Sequence, residues 1–164
     1  MLAFGVLITG CKKDDEDDKD TNTNAAYNFT PPSSWTAGTA AGGITTYTGP
    51  ADGGFNPNMN IVTEVFDGTL KQYVDANING LTIILGINSG SVNRTAFQTT
   101  GGLSGEKIVY VYSVSDVNLR FVQYLLSPKS GSKTFVVITG TGLTSYDTKY
   151  DATFETAAKS FSWK

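Results

Sequence analysis

The sequence contains no histidine and a single cysteine. Ser-His-Asp and Cys-His nucleophile arrangements, Cys/His zinc sites and intrachain disulfides are therefore excluded together. Charge is also scarce, at 16 % of residues, and its imbalance is local: Lys12 to Asp20 sets three Lys against six Asp or Glu, which accounts for the whole net charge of −3. The rest of the chain is neutral, and Lys107, Arg120, Lys129, Lys133, Lys149 and Lys159 are dispersed along it. With no basic field to meet a phosphate backbone, nucleic acid is not an expected partner. Carboxylate-only chemistry, for catalysis or for a hard cation, stays open.

Long apolar runs are lacking too. Leu2 to Ile8 is the nearest approach, and it is far too short to span a bilayer. It has the length of a signal h-region, and the small residues Thr9 and Gly10 separate it from Cys11. The tetrapeptide Ile8-Thr9-Gly10-Cys11 resembles a bacterial lipobox, which implies that residues 1–10 are cleaved away and that the Cys11 thiol carries a diacylglyceryl group. Lys12, Lys13, Asp14, Asp15 and Glu16 follow directly. That arrangement resembles the export signal of Bacteroidota surface lipoproteins, and it implies an outer-membrane protein, lipid-anchored and facing the cell exterior, with the periplasmic face as the alternative. Anionic headgroups repel such an acidic run, so the acyl chains alone are expected to hold the membrane while residues 11–26 act as a flexible tether.

Residues 27–164 have the composition of one packed domain, with 8 Tyr and 9 Phe in the chain and 40 % hydrophobic residues. Tyr27 to Phe29 alternates before the Pro31-Pro32 turn and Trp35, and Ala37 to Gly43 is too rich in Ala and Gly to hold structure. Ile44 to Thr48 and Met59 to Phe66 predict strands around an Ala51 to Pro57 loop. Leu70, Tyr73, Val74, Asn77, Ile78, Leu81, Ile84 and Leu85 recur at helical steps, predicting a helix from Thr69 to Leu85 ended by Gly86. Four strands are then predicted over Ser91 to Thr99, Lys107 to Val114, Leu119 to Leu126 and Thr134 to Thr139, with short turns that imply antiparallel pairing. Tyr146, Tyr150, Phe154, Ala157 and Phe161 form the apolar stripe of a last helix, Asp147, Asp151 and Glu155 project outward from it, and Phe161 to Lys164 is expected to end as an edge strand. The predicted class is α+β, a central antiparallel sheet flanked by helices on both faces.

The order of elements, with Trp35 after its proline turn, Asn58-Met59-Asn60-Ile61-Val62, Gly105-Glu106-Lys107-Ile108-Val109-Tyr110 and the closing Ser160-Phe161-Ser162-Trp163, resembles the PsbP-like superfamily, including its DcrB-like and Mog-like members. The resemblance implies an α/β/α sandwich in an accessory or binding role without catalysis.

Three constellations bear on chemistry. Gly140-Thr141-Gly142 is expected between a strand and a helix, where a phosphate loop sits, but the third glycine and a following strand are missing, so a simple turn is favoured. Asp147, Asp151 and Glu155 at four-residue steps have the spacing to gather a cation, and Asp52, Glu64, Asp67 and Asp75 are candidates for a converging carboxylate pair; ordinary surface charge explains both sets more simply. Trp35 and Trp163 are candidates for a ligand pocket, with core packing the stronger reading. The expectation is a non-enzymatic, lipid-anchored protein with no cofactor, no metal and no catalytic residue, whose partner beyond the membrane is an unidentified protein or small ligand. A carboxylate enzyme acting on surface glycans and a cation-binding accessory protein are the alternatives.

Overall fold

A computed structural model describes residues 26–164. The strands are β1 (Tyr27–Asn28), β2 (Thr36–Ala40), β3 (Ile44–Thr48), β4 (Asn58–Val65), β5 (Asn93–Gln98), β6 (Ser104–Val114), β7 (Val117–Leu126), β8 (Thr134–Leu143) and β9 (Ser162–Trp163), and the helices are α1 (Leu70–Leu85) and α2 (Asp151–Lys159). Seven strands form one sheet in the order β2-β3-β4-β8-β7-β6-β5, with every neighbouring pair antiparallel. β1 and β9 pair separately, tying the start of the domain to its end.

Local chemistry sets the ends of α1. Thr69 and Gln72 form a capping box: the Gln72 N–H donates to Thr69 Oγ1 at 3.3 Å while the Thr69 N–H donates to Gln72 Oε1 at 2.8 Å. Gly86 stops the helix at φ 68°, a left-handed conformation that favours glycine, and its N–H donates to the Thr82 carbonyl at 3.1 Å. At 1.5 Å per residue these 16 residues span about 24 Å. That length suffices to cross from β4 to β5, four strand spacings or about 19 Å away.

Alternate residues of β7 and β8 enter two separate cores. Leu119, Phe121 and Leu125 of β7 join Phe135 and Val137 of β8 and Ile108 and Tyr110 of β6 in packing against Tyr73, Val74 and Leu81 of α1. Val122, Tyr124 and Leu126 join Val136, Ile138, Met59 and Ile61 in packing against Phe154, Ala157 and Ala158 of α2 and Phe161 beyond it. Burial on both sides explains why these strands lack a polar face. Trp35 and Trp163 lie partly buried against the second core, Trp35 edge-on to Phe154 and Trp163 edge-on to Phe161, which agrees with the packing reading.

Three expectations are corrected. Thr36–Ala40, within the Ala/Gly-rich stretch, is a strand because β3 pairs all five of its residues. β8 continues through Gly140-Thr141-Gly142 to Leu143 instead of ending in a loop, so no phosphate cradle exists there. A Cβ on Gly140 would lie 2.5 Å from the Phe154 ring, so the glycine serves contact between helix and sheet. The last helix begins at Asp151, after a single tight turn at Thr144–Tyr146 and a left-handed Asp147 at φ 46°.

Gly140→Ala is expected to lower stability by about 1–3 kcal/mol, because Phe154 must leave its seat on β8. Gly101→Ala, whose Cβ would meet nothing nearer than 3.9 Å, is expected to leave the urea midpoint unchanged. Equal midpoints for both variants would contradict the packing described.

Candidate functional site

One helix is about 10 Å wide and covers about two strands. α2, seated over β7 and β8, therefore leaves the neighbouring β6–β5 surface uncovered on its side of the sheet. The uncovered surface forms a groove of about 530 Å³ between α2 and the β5 edge. Its floor is Val109 and Val111 of β6, its outer rim carries Asn93 and Thr95 of β5, and its inner wall is built from Lys107, Arg120 and Asp151. Strand register fixes these positions, since Asn93 lies opposite Val109, Thr95 opposite Lys107, and Val111 opposite Arg120.

The wall is a ladder of ion pairs. Arg120 Nη2 donates to Asp151 Oδ2 at 2.6 Å and Nε to Oδ1 at 3.3 Å, a two-pronged contact. One helical turn on, Glu155 accepts from Lys107 at 3.3 Å and meets Lys159 at 2.8 Å. The Lys107 ammonium also stands 5.8 Å above the Tyr124 ring. Lys159 holds the Glu155 carboxyl below the usual carboxylate range, with burial partly opposing it and Lys107 assisting. Beneath the wall the buried Tyr124 hydroxyl finds no partner, and burial, reinforced by Glu155 and Asp151, pushes it far above a normal phenol. The groove thus offers amide, hydroxyl and guanidinium donors with carboxylate acceptors, and each carboxylate of its wall is paired with a cation.

A second cluster joins the loop after β3 to the approach of α2. Asp52 accepts from Tyr150 Oη at 2.6 Å and from Lys149, Tyr146 donates to the Asp52 carbonyl, and the Lys149 ammonium lies 5.4 and 5.5 Å from the Tyr146 and Tyr150 rings. Lys149, then Tyr150, holds the Asp52 carboxyl low, and Asp52 in turn raises Lys149. The arrangement is a clasp between two chain segments.

The acids singled out in sequence do not converge. Asp52 belongs to the clasp, Glu64 accepts from Tyr73 at 2.7 Å, Asp67 meets Lys133 at 2.8 Å, and Asp75 meets Lys71 and Arg94. Asp147 precedes α2, whereas Asp151 and Glu155 turn toward the sheet to pair with Arg120 and Lys107 instead of projecting freely outward. Among the described residues no three metal-ligating side chains come together. Cys11, the cleavage residues Ile8, Thr9 and Gly10, and Lys12, Lys13, Asp14, Asp15 and Glu16 lie outside the described residues. Sequence reasoning missed Arg120 and Asn93 as groove residues; the available signal was the four-residue spacing of Asp151 and Glu155 on the helix that packs beside two strand cations.

Three carboxyls, Asp52, Asp75 and Glu155, are held low by cations or donors in the fold. Depressed folded values mean that the unfolded chain binds more protons, so their stabilisation is complete above about pH 5 and is lost as pH falls through the folded values. Because the chain has no histidine, the melting temperature is expected to be flat between about pH 5 and 8 and to fall below about pH 4. A melting transition that moves several degrees between those neutral values would contradict this.

No family model matches the chain, and no curated protein matches it in sequence. Solved structures do match its fold. LpqN of Mycobacterium tuberculosis, involved in cell envelope biogenesis, aligns with a TM-score of 0.60 at 14 % identity over 83 % of this chain and 82 % of LpqN. CyanoP, the cyanobacterial PsbP of Synechocystis, aligns with a TM-score of 0.60 at 14 % identity over 85 % of this chain and 87 % of its own. PA94 of Pseudomonas aeruginosa, a protein of unknown function, aligns at 0.59 and 12 % identity over 76 % of this chain and 94 % of its own. At such identities the likeness concerns architecture alone. The domain accordingly has a PsbP-like fold built on an antiparallel sheet.

Proposed function

We propose that the chain is an envelope lipoprotein, anchored through Cys11 at the bacterial outer membrane and displayed at the cell surface, whose domain is a non-catalytic binding module. In this reading the two cores are the inner layers of an α/β/α sandwich, with α1 and α2 on opposite faces of the sheet. The groove beside α2 is the binding site. The observation that carries the reading is the internal pairing of Arg120 with Asp151 and of Lys107 with Glu155. Paired in this way, the carboxylates have no unmatched partner for proton transfer, yet their remaining lone pairs and the neighbouring Asn93 and Thr95 can engage a ligand. The lipobox resemblance supports the location, and the envelope role of LpqN is in keeping with it.

Replacing Cys11 with Ala is expected to abolish incorporation of labelled acyl chain in a Bacteroidota host and to release the protein from the membrane fraction. The native chain is expected to be labelled and cleaved by protease added to intact cells. A native chain that takes no label refutes the anchor, and a labelled chain resistant to protease refutes surface display.

A photoreactive amino acid in place of Val111, on the groove floor, is expected to yield a crosslinked adduct in cells, while the same group at the 80 % exposed Val65 is not. Equal labelling at both positions would refute the groove as a binding site.

A further inference from the structure

One row of side chains on the α1 side of the sheet interrupts the apolar core with polar groups. Strand register sets Asn60 of β4 opposite Thr139 of β8, and Thr139 opposite Gln123 of β7. Val137 and Leu125, two residues along the same strands, belong to the core packed against α1. All three polar residues are more than nine-tenths buried, with Asn60 5 %, Thr139 6 % and Gln123 7 % exposed. No free charge accompanies them: Glu64, the one acid of β4, accepts from Tyr73 at 2.7 Å.

The row leaves hydrogen-bonding capacity unmet. Gln123 Nε2 donates to Thr139 Oγ1 at 3.2 Å, but the buried Gln123 Oε1 and Asn60 Oδ1 receive no donor among the described residues. A buried carbonyl left unpaired costs free energy that an apolar side chain in its place would not. Thr139 accepts through its oxygen and keeps its own O–H to donate. The complement of the row is therefore a small group that donates twice and accepts once. A hard cation fits poorly, since it takes six or more oxygens, with carboxylates among them, and three neutral oxygens stand here. Water fits in full, with two protons for the two carbonyls and a lone pair for the hydroxyl.

We infer that Asn60, Thr139 and Gln123 bind one ordered water on the α1 side of β8. It donates to Asn60 Oδ1 and Gln123 Oε1 and accepts the Thr139 hydroxyl proton. β4 and β7 are separated by β8 and share no backbone ladder, so this water links two strands that do not otherwise hydrogen-bond. The two carbonyls then act as a unit, because removing one takes a partner from the water that serves the other.

A crystal structure of the full chain carrying Cys11→Ser is expected to show water density within hydrogen-bonding distance of Asn60 Oδ1, Thr139 Oγ1 and Gln123 Oε1 together. In the same background Asn60→Leu and Gln123→Leu are each expected to lower the urea midpoint and to reduce the folding equilibrium constant about tenfold. The double variant is expected to fall well short of the roughly hundredfold product, because the second substitution removes the carbonyl that the first left poorly paired. A direct Asn60–Gln123 amide contact without water, single variants that raise the midpoint as the loss of a bare carbonyl would, or a strictly additive double variant would overturn the inference. The crystal structure decides the matter if a variant does not fold.

Discussion

Burial of β7 and β8 on both sides is the constraint from which the rest of the domain follows. Their alternate side chains feed two cores, one packed against α1 and the other against α2, so neither strand presents a polar face. α1 reaches the first core because the sixteen residues that end at Gly86 are long enough to carry the chain from β4, beside β8, to β5 at the far edge. α2 contributes to the second with only nine residues, seated on the pair by Phe154 against Gly140.

The groove is the geometric remainder of that arrangement. A single short helix over β7 and β8 cannot also cover β6 and β5, so the surface of Val109 and Val111 is left beside it. The acids of α2 that face this gap, Asp151 and Glu155, meet the cations that β7 and β6 project into it. Both carboxylates of the wall are paired, and the wall remains polar.

Much of the fold was legible in the sequence where local chemistry decides it. Thr69 and Gly86 mark the two ends of α1, and the short turns between β5, β6 and β7 join antiparallel neighbours as expected. Misreadings arose where long-range packing overrides local preference. Gly140 has the appearance of a loop residue until Phe154 is placed on it, and Ala37 to Ala40 has weak strand propensity until β3 supplies its partner. The groove was not legible because it depends on which strands a helix fails to cover, a property of strand order and not of any segment. Asp151 and Glu155 were visible as a spaced pair, but their partners Arg120 and Lys107 lie on two different strands.

Native-state amide hydrogen exchange tests the two-sided core most directly. Val122 to Leu126 and Val136 to Ile138 are predicted to exchange slowest and together, only through global unfolding, while β2 and β5 exchange through local opening. Central strands that exchange as fast as the edges, or two cores whose amides are released at separate free energies, would contradict the dependence of the whole domain on the β7–β8 pair.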